Sequence, residues 1–188
     1  MRKNAESMRR SGRCATREAN WKIRNRIARR MTTALLTLAP LAAHAAPPPS
    51  NLIPQDAAQA QTTTAAGVQI YACEYDANHR LAWTFQHPEA TLYDASGTAA
   101  IRHGAGPSWE ARDGSRIVGE KIADAPSPNA DSIPQLLLST HATASGSLAS
   151  VRYVQRLDTK GGAAPATPCT AEHQLGSSPY YARYVFWK

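Results

Sequence analysis

The chain has 188 residues and a formal charge of +7, a balance that at first suggests nucleic acid or a membrane as partner. The charge is concentrated at one end. Residues 1–30 hold eleven Lys/Arg against Glu6 and Glu18, whereas residues 46–188 hold ten against twelve Asp/Glu. The body has no basic run or stripe, so the composition excludes a nucleic-acid-binding domain.

The basic block leads into "TALLTLAPLAAHAAPPPS". The apolar run over residues 33–43 is too short for a transmembrane helix, which takes ~20 residues. Ala43-His44-Ala45 has the small-x-small form of a signal-peptide cleavage site. Residues 1–45 therefore read as an export leader cut after Ala45, with Met8 as an alternative start. Arg29-Arg30 resembles a twin-arginine signal whose following residues fit poorly, so the export route stays open. The expected location is the periplasm or the exterior, with no membrane span in the mature protein. Cys14 leaves with the leader, and Cys73 and Cys169 remain. An even pair in an exported chain reads as a disulfide, with two buried free thiols as the alternative. A zinc site would need more ligands than this pair offers.

Residues 46–66 are Ala, Pro, Gln and Thr with few large apolar groups, and read as a flexible linker before a domain over residues 67–188. From Gly67 the period is two. "GVQIYACEY" and "LAWTFQ" flank the turn-rich "DANHR" and read as a hairpin; Leu81, Trp83 and Phe85 share one face. "ATLYD" and "TAAIRHG" flank Ser96-Gly97. "SWEAR" and "RIVGEKI" flank Asp113-Gly114, a strong hairpin signal of type I′ form. In "IPQLLLSTHATASG" the run Leu136 to Leu138 suits a buried strand or a short helix. "SVRYVQRLD" and "YYARYVFWK" complete the strands. The expected fold is all-β, a single antiparallel β-sandwich or barrel-like domain.

The stretch "IRHGAGPSWEARDGSRIVGE" has two readings. As a site, His103, Trp109 and Glu110 flank a glycine-rich bend that a ligand can approach. As architecture, it is a strand, a corner shaped by Gly104, Gly106 and Pro107, and a hairpin at Asp113-Gly114, with Trp109 in the core. The second reading comes first, and His103 stays open as a ligand or metal contact. In "HPEA", His87 and Glu89 could join His103 in a zinc or copper shell if their strands are neighbours, although a residue before Pro88 reads more simply as exposed loop. Ser108, His103 and Asp113 make a triad only on paper, since no nucleophile elbow surrounds the serine. Of Gln155 and Arg156, one must face inward or lie at an edge. An inward Arg156 would need a buried partner, for which Glu74 or Glu89 are candidates.

Five segments, "GVQIYAC", "WTFQHPEATLYDASG", "HGAGPSWEARDGSRIVG", "IPQLLL" and "VRYVQRLDTKGGAAPATPC", together resemble the DUF3455 family over residues 67–184. The resemblance implies a mostly secreted, all-β protein and brings no catalytic residues to carry over. Two positions depart from the usual pattern. Gln135 stands where relatives carry Trp, and Gly104 where many carry an aromatic, which implies a more open and more polar pocket if those aromatics line one. Some fungal relatives are designated malate dehydrogenases, yet "GAGPSW" supplies only the first two glycines of a dinucleotide loop and no helix follows it. A Rossmann cofactor site is rejected.

The resulting expectation is an exported binding or envelope-associated module without catalysis, tied by Cys73–Cys169, with a small molecule or an envelope component as partner. His103, Trp109, Glu110 and His87 are the ligand-binding candidates, and no cofactor or metal is assigned. The alternative is a small extracytoplasmic enzyme that uses His103 with Glu110 or His87 in acid–base or metal-assisted chemistry.

Overall fold

The computed structural model describes residues 47–188, so the expected leader lies outside the described residues. Eight antiparallel strands follow one another: β1 (Gln59–Tyr75), β2 (Leu81–Tyr93), β3 (Ala99–Gly104), β4 (Ser108–Ala111), β5 (Arg116–Ala125), β6 (Gln135–Ala144), β7 (Tyr153–Gly161) and β8 (Leu175–Trp187). Each pairs with its sequence neighbours, and β8 returns to β1, closing the sheet into a ring. The all-β expectation holds, and of the two architectures it allowed, this is the barrel. Closure removes the exposed edges that an open sheet must protect.

Local chemistry fixes the hairpins. In the β1–β2, β2–β3 and β4–β5 turns the fourth of five residues has positive φ: His79 at 56°, Gly97 at 79° and Gly114 at 81°. The first and fifth residues of each turn bond through their backbones, as Asp76 N–H to Arg80 O, Asp94 N–H to Thr98 O and Ala111 N–H to Ser115 O. These are three-residue loops ending in a left-handed residue, so the type I′ form expected at Asp113-Gly114 gives way to this geometry. Asp76 and Asp94 reinforce theirs by accepting later N–H groups of the same turn.

Alternation along the strands sends apolar side chains into the barrel. Leu92, Ile101, Trp109, Ile117, Leu138, Val154, Tyr184 and Phe186 form one buried cluster. Arg102, Glu110, Arg116, Glu120 and Lys160 are among the polar residues that face outward or stay exposed. Apolar inside and polar outside is the reverse of a barrel that faces lipid. No helix among the described residues is long and apolar enough to cross a membrane. In an up-and-down barrel, alternate turns lie at opposite ends. The β6–β7 connection supplies Leu148 and Val151 to the core at one end; the β3–β4 turn and the β5–β6 loop lie at the other.

The linker expected over residues 46–66 is corrected in two respects. Residues 59–66 are strand, paired to β8 throughout and to β2 from Thr64. Before them, a 3-10 turn (Ser50–Leu52) places Leu52 at 0 % exposure against Ala125, Leu137, Leu157 and Val185 on the outside of the barrel. "HPEA" is also strand rather than loop. Pro88 is tolerated within β2 because β3 pairs only from Ala90 on, leaving β1 as its sole neighbour at that level. Cys73 on β1 is bonded to Cys169 in the β7–β8 loop, with Cα atoms 5.8 Å apart, as the even cysteine pair implied.

Candidate functional site

At the open end, β2 and β3 part company beyond the Ala90–His103 pair, and a cavity of about 660 Å³ enters the barrel. This lies within the range of small-molecule sites, roughly 300–1,000 Å³. Phe85 and Pro88 of β2, Pro107 of the β3–β4 turn and Pro134 of the β5–β6 loop contribute to its lining, as do Leu136 and Leu138 of β6. Deeper lie Gln69, His103, Trp109 and Tyr184. Phe85, placed by alternation on one face with Leu81 and Trp83, is 50 % exposed. A bulge where Ile70–His87 pairing passes to Tyr71–Phe85 interrupts the alternation there.

His103 and Trp109 are cross-strand partners on β3 and β4. Their rings stack at 4.7 Å with planes 7° apart, and Tyr184 approaches both edge-on. His103 Nδ1 lies 2.8 Å from the Ser108 carbonyl. A carbonyl only accepts, so Nδ1 carries the proton and Nε2 presents a lone pair. Burial above all, aided by the Arg156 charge and opposed by the Ser108 bond, lowers the His103 pKa from 6.5 to about 4. The ring is neutral at pH 7. Gln69 Nε2 and Trp109 Nε1 are buried with no hydrogen-bond partner among the described residues, an unusual cost for core groups. Behind them the Tyr180 and Tyr184 hydroxyls are 3.4 Å apart, and burial raises both phenol pKa values despite the opposing Arg156 charge.

Arg156 supplies the charge of the site. Its register partners are Leu136 on β6 and Tyr184 on β8, both lining the cavity, so the guanidinium is on the barrel's inner face. Nε and Nη2 donate to the Pro134 carbonyl at 3.2 and 2.9 Å. Neither carboxylate considered from the sequence meets it. Glu74 lies 3.2 Å from His173, and Glu89 lies 3.2 Å from His87. Gln155, on the opposite face, is buried beneath the N-terminal segment, donating to the Leu52 carbonyl and accepting from Trp187 Nε1.

In this cavity the structure brings together two of the four sequence candidates, His103 and Trp109, while a shallower cleft outside is bordered by His103 and Glu110. Glu110 is on the other side of the wall, paired with the exposed Arg102 at 3.2 Å. His87 and Glu89 flank the buried Pro88 in strand alternation and bond each other away from the lumen. Among the described residues His103 makes no hydrogen bond to Glu110 or His87, and His87, Glu89 and His103 are not near enough to one another to share an ion. Among the described residues, Glu74, Glu172 and His173 are near enough to share an ion, but they lie on the surface beside the disulfide loop. The paper triad also fails. His103 bonds the backbone of Ser108 rather than its hydroxyl, and Asp113 accepts from Ser115 and Ser147.

The pocket argument attached to Gln135 is corrected as well. Its side chain points away from the lumen, donating to Pro126 O and accepting from Asp158 N–H, which ties the β5–β6 loop to a bulge in β7. Sequence reasoning missed the roles of Arg156 and Tyr184 in the lining, because both faces of β7 and of the last third of β8 are largely buried and alternation does not choose between them.

No curated protein and no solved structure matches the chain. The model of the DUF3455 family, described as a protein of unknown function, matches residues 54–188, the whole barrel and part of the segment before it. The chain belongs to the DUF3455 family.

Proposed function

We propose that this is an exported binding protein that takes one small molecule into the open end of its barrel, binding it without chemistry. The observation that supports this best is the cavity itself. Eight-stranded barrels are just wide enough to be filled by side chains or to hold one small ligand. Here the far half is filled, while the near half leaves about 660 Å³ over a His103–Trp109–Tyr184 floor. The candidate acid–base partners of His103 lie on the outer wall, which favours binding over catalysis. Among the expected partners, the dimensions of the cavity favour a small molecule over a large envelope component.

Export is supported by the leader anatomy and by the Cys73–Cys169 bridge, since such bonds persist in oxidising compartments. The intact mass of the exported protein should correspond to a chain starting at Ala46; retention of residues 1–45 would remove this part of the reading. For binding, thermal melts of the purified protein against a panel of small molecules should yield stabilising hits. A ligand at 100-fold its Kd adds about 2.7 kcal/mol. Leu136→Trp, which projects an indole into the cavity, should abolish the shifts. Hits that survive this filling would place binding elsewhere.

A further inference from the structure

Resting on that reading of the open end, we infer that the ligand is a monocarboxylate with an apolar body, its carboxylate on Arg156 and its body against Leu136, Leu138 and Tyr184. Arg156 is on the inner face of the barrel by register and is in none of the ion pairs among the described residues. No carboxylate lines the cavity. Holding a part-buried cation without a counter-ion is costly. A barrel that needed only structure from this position would place an apolar side chain there. A guanidinium matches a carboxylate with two parallel N–H···O bonds, so an anion entering the cavity would satisfy the charge that the fold leaves unmatched.

The charge count selects a monoanion. The other cation in the lining, Lys121, is 2.9 Å from Asp124, which leaves one unmet positive charge. His103 adds none, because its ring is neutral, with its one proton on Nδ1 held by the Ser108 carbonyl. The remaining walls are largely apolar, suited to a branched or aromatic hydrocarbon body. The cation is also held in place before binding. Pro134 O fixes the guanidinium, and the loop carrying it is anchored by Thr159 donating to Ile133 O and by Ser127 and Asn129 donating to Thr159 O. Such preorganisation lowers the ordering cost of binding.

The test is calorimetric titration of the purified full-length protein with benzoate, 3-phenylpropionate and 4-methylpentanoate, and with the primary amide of each acid. At least one acid should bind ten-fold or more tightly than its amide. That ratio should fall below two-fold in Arg156→Gln and be partly kept in Arg156→Lys. Leu136→Trp should remove binding of acid and amide alike. Equal affinities for an acid and its amide, both lost in Leu136→Trp, would overturn the anion class while leaving the binding site standing. Failure of all six compounds to bind at millimolar concentration would overturn both. The comparison of acid with amide uses the unaltered protein, so it decides even if an Arg156 variant does not fold.

Discussion

His103 lies flat on Trp109, centroids 4.7 Å apart, as a cross-strand pair of β3 and β4. Trp109 is 1 % exposed and also meets Tyr184 and Phe186 edge-on. Trp109→Ala should therefore cost ~3–5 kcal/mol, the range for large core aromatics. His103→Ala should cost less, ~1–3 kcal/mol, chiefly through the Ser108 carbonyl left without its donor. Trp109→Phe offers a sharper check. Because Trp109 Nε1 has no partner among the described residues, removing it forfeits no hydrogen bond, and the loss should be well below that of Trp109→Ala. Chemical denaturation of the three variants measures all of this. A Phe variant as unstable as the Ala variant would reveal a bond to the indole N–H.

Stability should fall as pH drops from about 6.5 toward 4. The folded-state pKa of His103 is depressed to about 4, first by burial. Between the two values the unfolded chain binds a proton that the native ring refuses. Stability thus rises with pH across this window and is lost on acidification, by ~3 kcal/mol in total. His173 has the opposite sign. The hydrogen bond and charge of Glu74 raise its pKa, so its contribution is present at low pH and lost as pH rises through the raised value. It is exposed and only blunts the trend. Asp113, held below the carboxylate range by the Ser115 hydroxyl and then by backbone N–H groups of Ser147 and Ser115, gives up its contribution only below the ordinary 3.8. Urea midpoints at pH 7, 5.5 and 4 should decline in the native protein and stay nearly flat in His103→Asn. Parallel declines would mean that another group controls the acid limb.

Gly119 on β5 sets the depth of the aromatic floor. A Cβ there would stand 2.9 Å from Cζ3 and 3.2 Å from Cη2 of Trp109. The indole has His103 on one face and cannot retreat without disturbing the stack. Gly119→Ala should destabilise by ~1–3 kcal/mol, as overpacking does, and should red- or blue-shift tryptophan emission. Unchanged stability and emission would show that the indole has room the structure does not provide.

The Cys73–Cys169 bridge closes a loop of 96 residues. In the chain-entropy account this contributes ~4–5 kcal/mol, and it fixes the β7–β8 loop to β1, where Trp83 Nε1 donates to Thr167 O. Alkylation of unreduced protein should add no mass at Cys73 or Cys169. The Cys73→Ala, Cys169→Ala double variant should melt at markedly lower temperature. Two added alkyl groups in the native protein would rule out the bridge.

Much of this architecture is legible in the sequence, because period-two patterning and turn residues act locally. "WTFQ", "SWEAR" and "YYARYVFWK" are strands where alternation places them, and Asp113-Gly114 turns. Three features escape for identifiable reasons. Residues 59–66 lack large apolar groups, and their strand rests on pairing with partners more than a hundred residues away in β8. Arg156 and Gln155 sit in a strand buried on both faces, by the lumen on one side and by the N-terminal segment on the other, so hydropathy gives no direction. Glu110 and Trp109 are adjacent in sequence, and one step of alternation puts them on opposite sides of the wall. Proximity in a motif therefore misled where strand geometry separates neighbours.

Leu52 carries the last prediction, because it tests where the domain begins. In a Pro-rich segment it is at 0 % exposure among Ala125, Leu137, Leu157 and Val185, and Pro54 just after it is buried too. Its carbonyl accepts from Gln155, and Asn51 donates to Asp124 O. Nearby, Arg152 donates to Asp56 O, and Ala58 exchanges backbone bonds with Lys188. If this strap is part of the fold, Leu52→Ala should cost ~2–5 kcal/mol, as for other buried leucines. The same change in a flexible linker would cost nearly nothing. Ile53→Ala is the internal control: at 45 % exposure it should stay within about 0.5 kcal/mol of the native protein. Equal, negligible effects at both positions in urea denaturation would return residues 47–58 to the status of a linker and leave the outer faces of β6, β7 and β8 uncovered.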